Sequence, residues 1–574
     1  MRRNGLRIAS HIVALFDACA TSTRRACLFL TLVSLLAFLP GFFALPVLDR
    51  DEARFALISR QMVETGDLTD VRLGLEGQRT RPFGLYWLQS ALVAGAQAVG
   101  MPDAARSIWL YRLPSLLLAI ASVLLSYWAA LGFVGRRAAL LAGLLLATSA
   151  SVGVIARLAV PDAAMLAAAA AMIGAIGRLY VRETPVLAAG TADPSATRRL
   201  VALFWAALAF AFLFKGLFAL VYPALALTAL VALDRSLRLP RLLARFPLGI
   251  VLLLAMGAIW YYLRHFAGPT DGLTTRFVVG WVAPAFTGIG APPGAFLLMF
   301  WALFWPAAPL VALAVPIIWK ARRLRGVRSL LVWILPVWFL LELLPTKFPA
   351  HLVPTFPAIA ILVGLAVEKG ALALANARLA RILWLWPLLG AIIAISSLLV
   401  LAVLDRTTSL LAWPLLLAGL FALITAASAV REYGVEKATL LALAGTLVSG
   451  FGVVDLVIPK MESLWLSRRM AAVVEGEACA AGAASLAVGT AGYNEASLMF
   501  ELPGRTWLLD GGSAADFLKE GGCRLVFVES RQEARFVRRA EAIGLRIERR
   551  ADIRGYEYTN GRRVRISLYR NSGG

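Results

Sequence analysis

Apolar runs of 15 to 25 residues recur along most of the chain, separated by short polar breaks. About 20 apolar residues in helical form span the hydrocarbon core of a bilayer. That length predicts helices near 27–48, 113–133, 138–156, 162–180, 200–214, 216–233, 246–263, 295–319, 329–344, 352–367, 382–404, 410–430 and 438–458, about 13 membrane-spanning helices in all. The division between 200–214 and 216–233 rests on Lys215-Gly216 interrupting an otherwise continuous run, and a single kinked helix there changes the parity. Residues 49–112, after the first run, contain a stretch in which Phe55, Ile58 and Met62 fall at helical spacing. It reads as an amphipathic helix lying on the membrane surface.

The pattern changes near Lys460. Apolar runs shorten to strand length at 485–488, 506–509 and 524–528, and a charged helical stretch follows from Arg531 to Ile543. Asn560-Gly561 is a hairpin signal before the alternating Val564-Arg565-Ile566-Ser567-Leu568. Residues 460–574 therefore read as a small soluble α/β domain after a membrane domain of residues 1–459. Gly511-Gly512 and Gly521-Gly522 lack the strand-to-helix spacing of a phosphate-binding loop and are loop punctuation.

Composition agrees: 60% hydrophobic residues and a mean hydropathy of +0.76 exceed what a soluble core absorbs. The formal charge of +23 raises nucleic acid as a partner, but the arginines sit in small clusters between apolar runs, the pattern of cytoplasmic loops, so no nucleic acid is expected. The clusters at Arg24-Arg25, Arg136-Arg137, Arg198-Arg199, 235–245, 320–328, Arg378 with Arg381, and Arg431 with Lys437 then face inward. The other loops, and the tail, face outward. The first run is too long, and too poorly followed by a cleavage site, for a signal peptide. The four cysteines match no zinc spacing; Cys479 and Cys523 read equally well as a disulfide and as two buried thiols.

Candidate chemistry collects in the outward loops. Leu48-Asp49-Arg50-Asp51-Glu52-Ala53-Arg54-Phe55 puts three carboxylates at the mouth of the first run, and acids at a membrane edge need a partner or a task. Arg81, before Pro82 and Tyr86-Trp87, suits bidentate phosphate binding. Asp162 follows Pro161, Lys215 ends the fifth run, Arg276 lies in a loop containing Gly and Pro, and Lys347 precedes His351. Together they describe a carboxylate facing a cation-lined phosphate. Structural alternatives stand beside each: Asp162 as a helix cap, Glu52 with Arg54 as a surface ion pair, Lys215 and Lys347 as interfacial cations, and His265 as an interface residue.

The chain resembles the GT-C glycosyltransferases that use polyprenyl-phosphate sugars, within them the bacterial family of the lipid A aminoarabinose transferase and protein O-mannosyltransferase relatives. The resemblance rests on Asp51-Glu52-Ala53-Arg54-Phe55 with Arg60-Gln61-Met62, Arg81-Pro82 with Tyr86-Trp87, Arg112-Leu113-Pro114-Ser115, Arg157 with Asp162, Lys215-Gly216, and Thr346-Lys347-Phe348-Pro349 followed by Pro354 and Pro357. It implies a polytopic α-helical GT-C protein of a bacterial inner membrane, with a periplasmic cavity in which a sugar moves, with inversion, to a lipid or glycan acceptor. Asp51 would be the general base or acceptor-orienting group, with Asp162 as the second catalytic candidate. Glu52, Arg54, Arg81, Tyr86, Lys215, Arg276, Lys347 and His351 would contact substrate. The implied partners are membrane lipids, the lipid-linked sugar donor, and a lipid, glycan or protein acceptor; no cofactor is implied. Thr80, Arg81, Gly272-Leu273 and His351 depart from the aminoarabinose transferase pattern of Glu, Lys, Glu-His and Tyr, which implies no bound zinc and loosens the identity of sugar and acceptor. Two alternatives are a protein O-glycosyltransferase and a flippase or transporter of lipid-linked saccharides, which should show repeat symmetry and paired broken helices.

Overall fold

The computed structural model describes residues 2–49, 51–69, 71, 82–182, 194–235, 247–265, 289–370, 372, 377–477, 486–502 and 506–572. The chain is a multi-pass helical membrane protein with a small C-terminal sheet. Among the described residues eight helices are long and apolar enough to cross a membrane, or up to ten if each of two bent pairs counts as one span. Helices His11–Ala20, Phe218–Leu233 and Gly249–Ala258 are apolar but shorter.

The expected count of about 13 is not confirmed among the described residues, and hydropathy does not register breaks inside an apolar run. The run 27–48 forms a helix only over Thr23–Phe38, after which Pro40 and Gly41 lead into turns. The run 138–156 divides into Arg136–Ala147 and Ala150–Ala156, bent by 62°, and 295–319 into Ala295–Leu303 and Ala308–Lys320, bent by 120°. Irregular backbone survives at membrane depth only where protein satisfies its polar groups, and here the two breaks satisfy one another. Ala150 N–H donates to the Trp305 carbonyl at 3.0 Å, Ser149 Oγ to Leu303 O at 3.0 Å, and the Trp386 indole to Pro306 O at 2.7 Å.

Burial ranks the helices. The Ala-rich span Asp162–Val181 is 89% buried and forms the centre of the bundle, whereas Arg378–Asp405 is 22% buried and lies at its edge. At one end of the bundle Arg137 joins Asp17 and Glu436 at 2.9 and 2.7 Å, and Arg325 and Arg328 approach Asp234 at 3.6 and 3.8 Å. These groups belong to the loops that the sequence assigns to the cytoplasm.

Strand β1 (Ile289–Gly290) pairs antiparallel with β2 (Thr346–Lys347). The C-terminal domain carries β3 (Ala487–Ala491), β4 (Thr506–Leu509), β5 (Arg524–Glu529), β6 (Ile547–Glu557) and β7 (Arg562–Asn571), in the order β4-β3-β5-β7-β6. The first three are parallel to one another, and β7 runs antiparallel to both β5 and β6. Helices Ala496–Glu501, Gly511–Lys519 and Ser530–Ala542 lie in the crossovers, and the expected turn at Asn560-Gly561 joins β6 to β7. Cys523 is disulfide-bonded; Cys479 lies outside the described residues.

Candidate functional site

Asp51 opens the helix Asp51–Thr65 and is half-buried. The expected apolar stripe is there, with Phe55, Ile58 and Met62 all buried, but it packs into the protein core rather than onto a membrane surface. Periodicity registers an apolar face without saying what covers it.

Glu52 takes a different place from the one expected. It is 2% exposed and pairs not with Arg54, which is exposed, but with Arg112, which is fully buried. Each Glu52 oxygen accepts two hydrogen bonds: Oε1 from Arg112 Nε at 2.8 Å and Ala159 N–H at 3.0 Å, Oε2 from Arg112 Nη2 and Leu48 N–H, both at 2.9 Å. Arg112 commits its remaining N–H groups to the carbonyls of Phe42 and Leu45 at 3.1 and 2.8 Å and of Pro46 at 2.8 Å. All five guanidinium donors are thereby used. With both side chains saturated, this pair is a pin: it joins the loop before Asp51, the helix Ile108–Ala130 and the turn before Asp162. Arg157 makes a second fastening, donating to Pro40 O at 2.6 Å and Ala37 O at the end of the helix Thr23–Phe38.

Beyond that turn, Asp162 opens the buried helix Asp162–Arg182 and accepts from Lys215 Nζ at 2.7 Å. Lys215 closes its own helix, and Gly216 follows in the left-handed region (φ +60°). A Cβ at Gly216 would sit 3.4 Å from the Pro82 ring, so the segment after Arg81 passes against Lys215-Gly216. His351 lies within electrostatic reach of Lys215 and Asp162. Its ring lies 4.4 Å from that of Phe218, tilted by 36°, and its carbonyl accepts from the Tyr222 hydroxyl at 2.5 Å. Tyr86 is fully buried, 5.4 Å from the Phe55 ring.

Lys347 is fully buried, and its ammonium donates to the carbonyls of Leu341, Glu342 and Leu344 at 3.3, 2.8 and 2.6 Å. These groups end the helix Arg325–Leu343, where a cation offsets the negative end of the dipole. Its three donors are spent there, so it reaches a phosphate only by releasing that helix end. Arg81 and Arg276 lie outside the described residues. No group of three metal-ligating side chains occurs among the described residues.

One set of contacts has no sequence signal. Asp49, on the loop before Asp51, accepts from Ser497 Oγ of the C-terminal domain, and its N–H donates to the Tyr558 hydroxyl at 2.7 Å. Burial pushes the Asp49 carboxyl above the usual carboxylate range, against the bonds from Ser497 and Tyr558. Glu495 is raised as well, by burial first and then by Asp49 and Glu557.

Fold and site together define a class: a multi-pass helical membrane protein in which the Glu52–Arg112 pair ties the loop before Asp51 to the turn before Asp162, with a C-terminal α/β domain contacting that loop. The specific likeness is to ArnT from Cupriavidus metallidurans, a GT-C glycosyltransferase. Its apo structure matches 98% of this chain and 98% of its own at a TM-score of 0.70 and 19% identity. The structure bound to undecaprenyl phosphate matches 95% of this chain and 98% of its own at 0.71 and 20%. The archaeal oligosaccharyltransferase AglB from Archaeoglobus fulgidus matches more loosely, at 0.48 and 10% identity over 88% of this chain and 69% of its own. No family model and no curated protein matches the sequence.

Proposed function

We propose that this protein is an inverting membrane glycosyltransferase that moves a sugar from a polyprenyl-phosphate donor to a lipid or glycan acceptor of the lipopolysaccharide or lipid A type, on the periplasmic side of a bacterial inner membrane. The observation that carries the reading is the Glu52–Arg112 pin, which fastens the turn bearing Asp51 to the turn leading to the Asp162–Lys215 pair. It is supported by a fold shared over nearly the whole chain with an ArnT structure that binds undecaprenyl phosphate.

In this reading Asp51 orients and deprotonates the acceptor hydroxyl as the lipid phosphate departs from the opposite face of the sugar, which inverts the anomeric centre. Fixed cations stabilise the charge developing on the phosphate. Lys215, Arg81 and Arg276 take that role, with Asp162 holding Lys215 in place; Lys347 joins them only if the helix end it caps opens. Arg54 and His351 line the donor or acceptor path; Tyr86, expected there, is instead buried against Phe55 and supports the helix that bears Asp51.

The test is release of free polyprenyl phosphate from a panel of lipid-linked sugars by purified protein in liposomes. Release that needs an acceptor, and that falls about 10²–10⁴-fold in Asp51→Asn, is the expected result. Donor that crosses the bilayer with no bond cleavage overturns it in favour of a flippase, and transfer to peptide hydroxyls moves the acceptor to protein.

A further inference from the structure

The loop that leads into Asp51 is gripped from two sides. From within the membrane part, Arg112 holds the carbonyls of Phe42, Leu45 and Pro46. From the other side comes a segment 448 residues distant, where Ser497 Oγ donates to Asp49. Behind it, Ser497 Oγ lies 2.6 Å from Ser467 Oγ, which lies 3.1 Å from the Tyr493 hydroxyl, and all three side chains are buried. A hydroxyl has one proton to donate. Because Ser497 spends its proton on Asp49, Ser467 must donate to Ser497, and Tyr493 in turn to Ser467. The three hydroxyls point one way and end on the carboxylate.

The grip extends along the same helix. Arg60 Nη1 donates to Phe500 O at 3.3 Å, and the Phe500 ring meets Tyr111 edge-on at 5.5 Å. Val47, Ala53, Ala56 and Ala159 from the membrane part share one apolar core with Ala496 and Phe500.

We propose that Asp49, Ser497 and Tyr558 are positioning residues through which the C-terminal domain latches the Asp51 loop, so that this domain belongs to the catalytic unit rather than serving only to recognise an acceptor. The inference rests on the proposed role of Asp51. A polar latch two residues from the candidate base fixes where that base stands, whereas the apolar core beneath it supplies adhesion without register.

The test uses the full chain in lipid nanodiscs, comparing wild type with a Ser497→Ala, Tyr558→Phe double variant. Ser497→Thr, which keeps the hydroxyl, is the conservative rescue. Asp516→Asn, which breaks an exposed ion pair with Arg539 elsewhere on the domain, is the control. Two readouts are taken: kcat and KM for polyprenyl phosphate release, and hydrogen exchange over residues 44–57. The expected result is a fall of about tenfold in kcat, or ~1.4 kcal/mol, with donor KM within about twofold. Exchange in 44–57 accelerates while the domain's own strands stay protected. Ser497→Thr recovers kcat, and Asp516→Asn leaves both readouts at wild type. Unchanged kcat with unchanged exchange overturns the latch, as does a loss of kcat that simply tracks melting of the strands. If no donor turns over even in wild type, the proposed function has failed, and the exchange readout alone then judges the latch.

Discussion

Glu52 and Arg112 show how much one buried pair can organise. Deleting one partner of a buried, hydrogen-bonded pair leaves the other charge uncompensated, at a cost of about 3–5 kcal/mol. Glu52→Ala is therefore expected to lower the thermal unfolding midpoint in detergent by several degrees and to abolish turnover, because the Leu48 and Ala159 N–H groups lose their acceptor as well. An unchanged midpoint would show that the pin is dispensable. The sequence makes each acid and base in the loops between apolar runs visible by its cost there. It suggests the wrong partner for Glu52, because chain proximity favours Arg54, yet residues two apart on a helix do not face one another. Arg112 is 60 residues away and was visible only as part of a motif. Asp162 and Lys215, each legible alone, meet across 53 residues.

At the scale of elements, the hairpin Ala412–Tyr433 with Val435–Leu456 depends on close backbone approach. A Cβ on Gly419 would sit 2.7 Å from the Gly445 carbonyl oxygen, and one on Gly445 would sit 2.9 Å from that of Gly419. Small residues at such crossings let membrane helices pack by contact alone. Gly419→Val is expected to destabilise the protein by about 1–3 kcal/mol through overpacking, whereas Gly450→Ala, where an added Cβ meets nothing within 4 Å, is expected to be neutral. Thermal unfolding of the two variants side by side checks this, and equal midpoints would refute the close crossing. Some helices were legible end to end: 162–180 and 438–458 match Asp162–Arg182 and Val435–Leu456 within a turn. The bent pairs were not, because their breaks are satisfied by groups distant in the chain rather than by any local signal.

For the whole molecule, the contact between the two parts carries a pH dependence. Asp49 and Glu495 hold their protons more tightly in the docked state than free in water, chiefly because of burial. The groups facing them are Tyr493, Tyr558 and Glu557, the last paired with Arg562. A carboxyl with a raised docked-state pKa contributes stability that is complete below its ordinary value of about 4 and is lost as pH rises through the raised value. Docking is thus expected to weaken as pH climbs from about 4 toward neutrality, read as a falling protection factor over residues 44–57 once the intrinsic pH dependence of amide exchange is divided out. Asp49→Asn keeps the acceptor for Ser497 without the charge and should flatten that dependence; an unaltered slope would place its origin elsewhere.

The sequence by itself determined the membrane character, several of the long apolar helices, the late α/β domain and which acids and cations stand beside apolar runs. Each follows from local quantities: apolar run length, strand alternation, turn residues and the cost of a charge beside hydrocarbon. Only the tertiary structure decided that the stripe of Phe55, Ile58 and Met62 is covered by protein, that Glu52 serves Arg112, that Lys347 closes a helix, and that Asp49 is held by Ser497. Those outcomes depend on which residues meet across tens to hundreds of positions, and saturating the hydrogen bonds of a buried polar group is a property of the assembled fold rather than of any window of sequence.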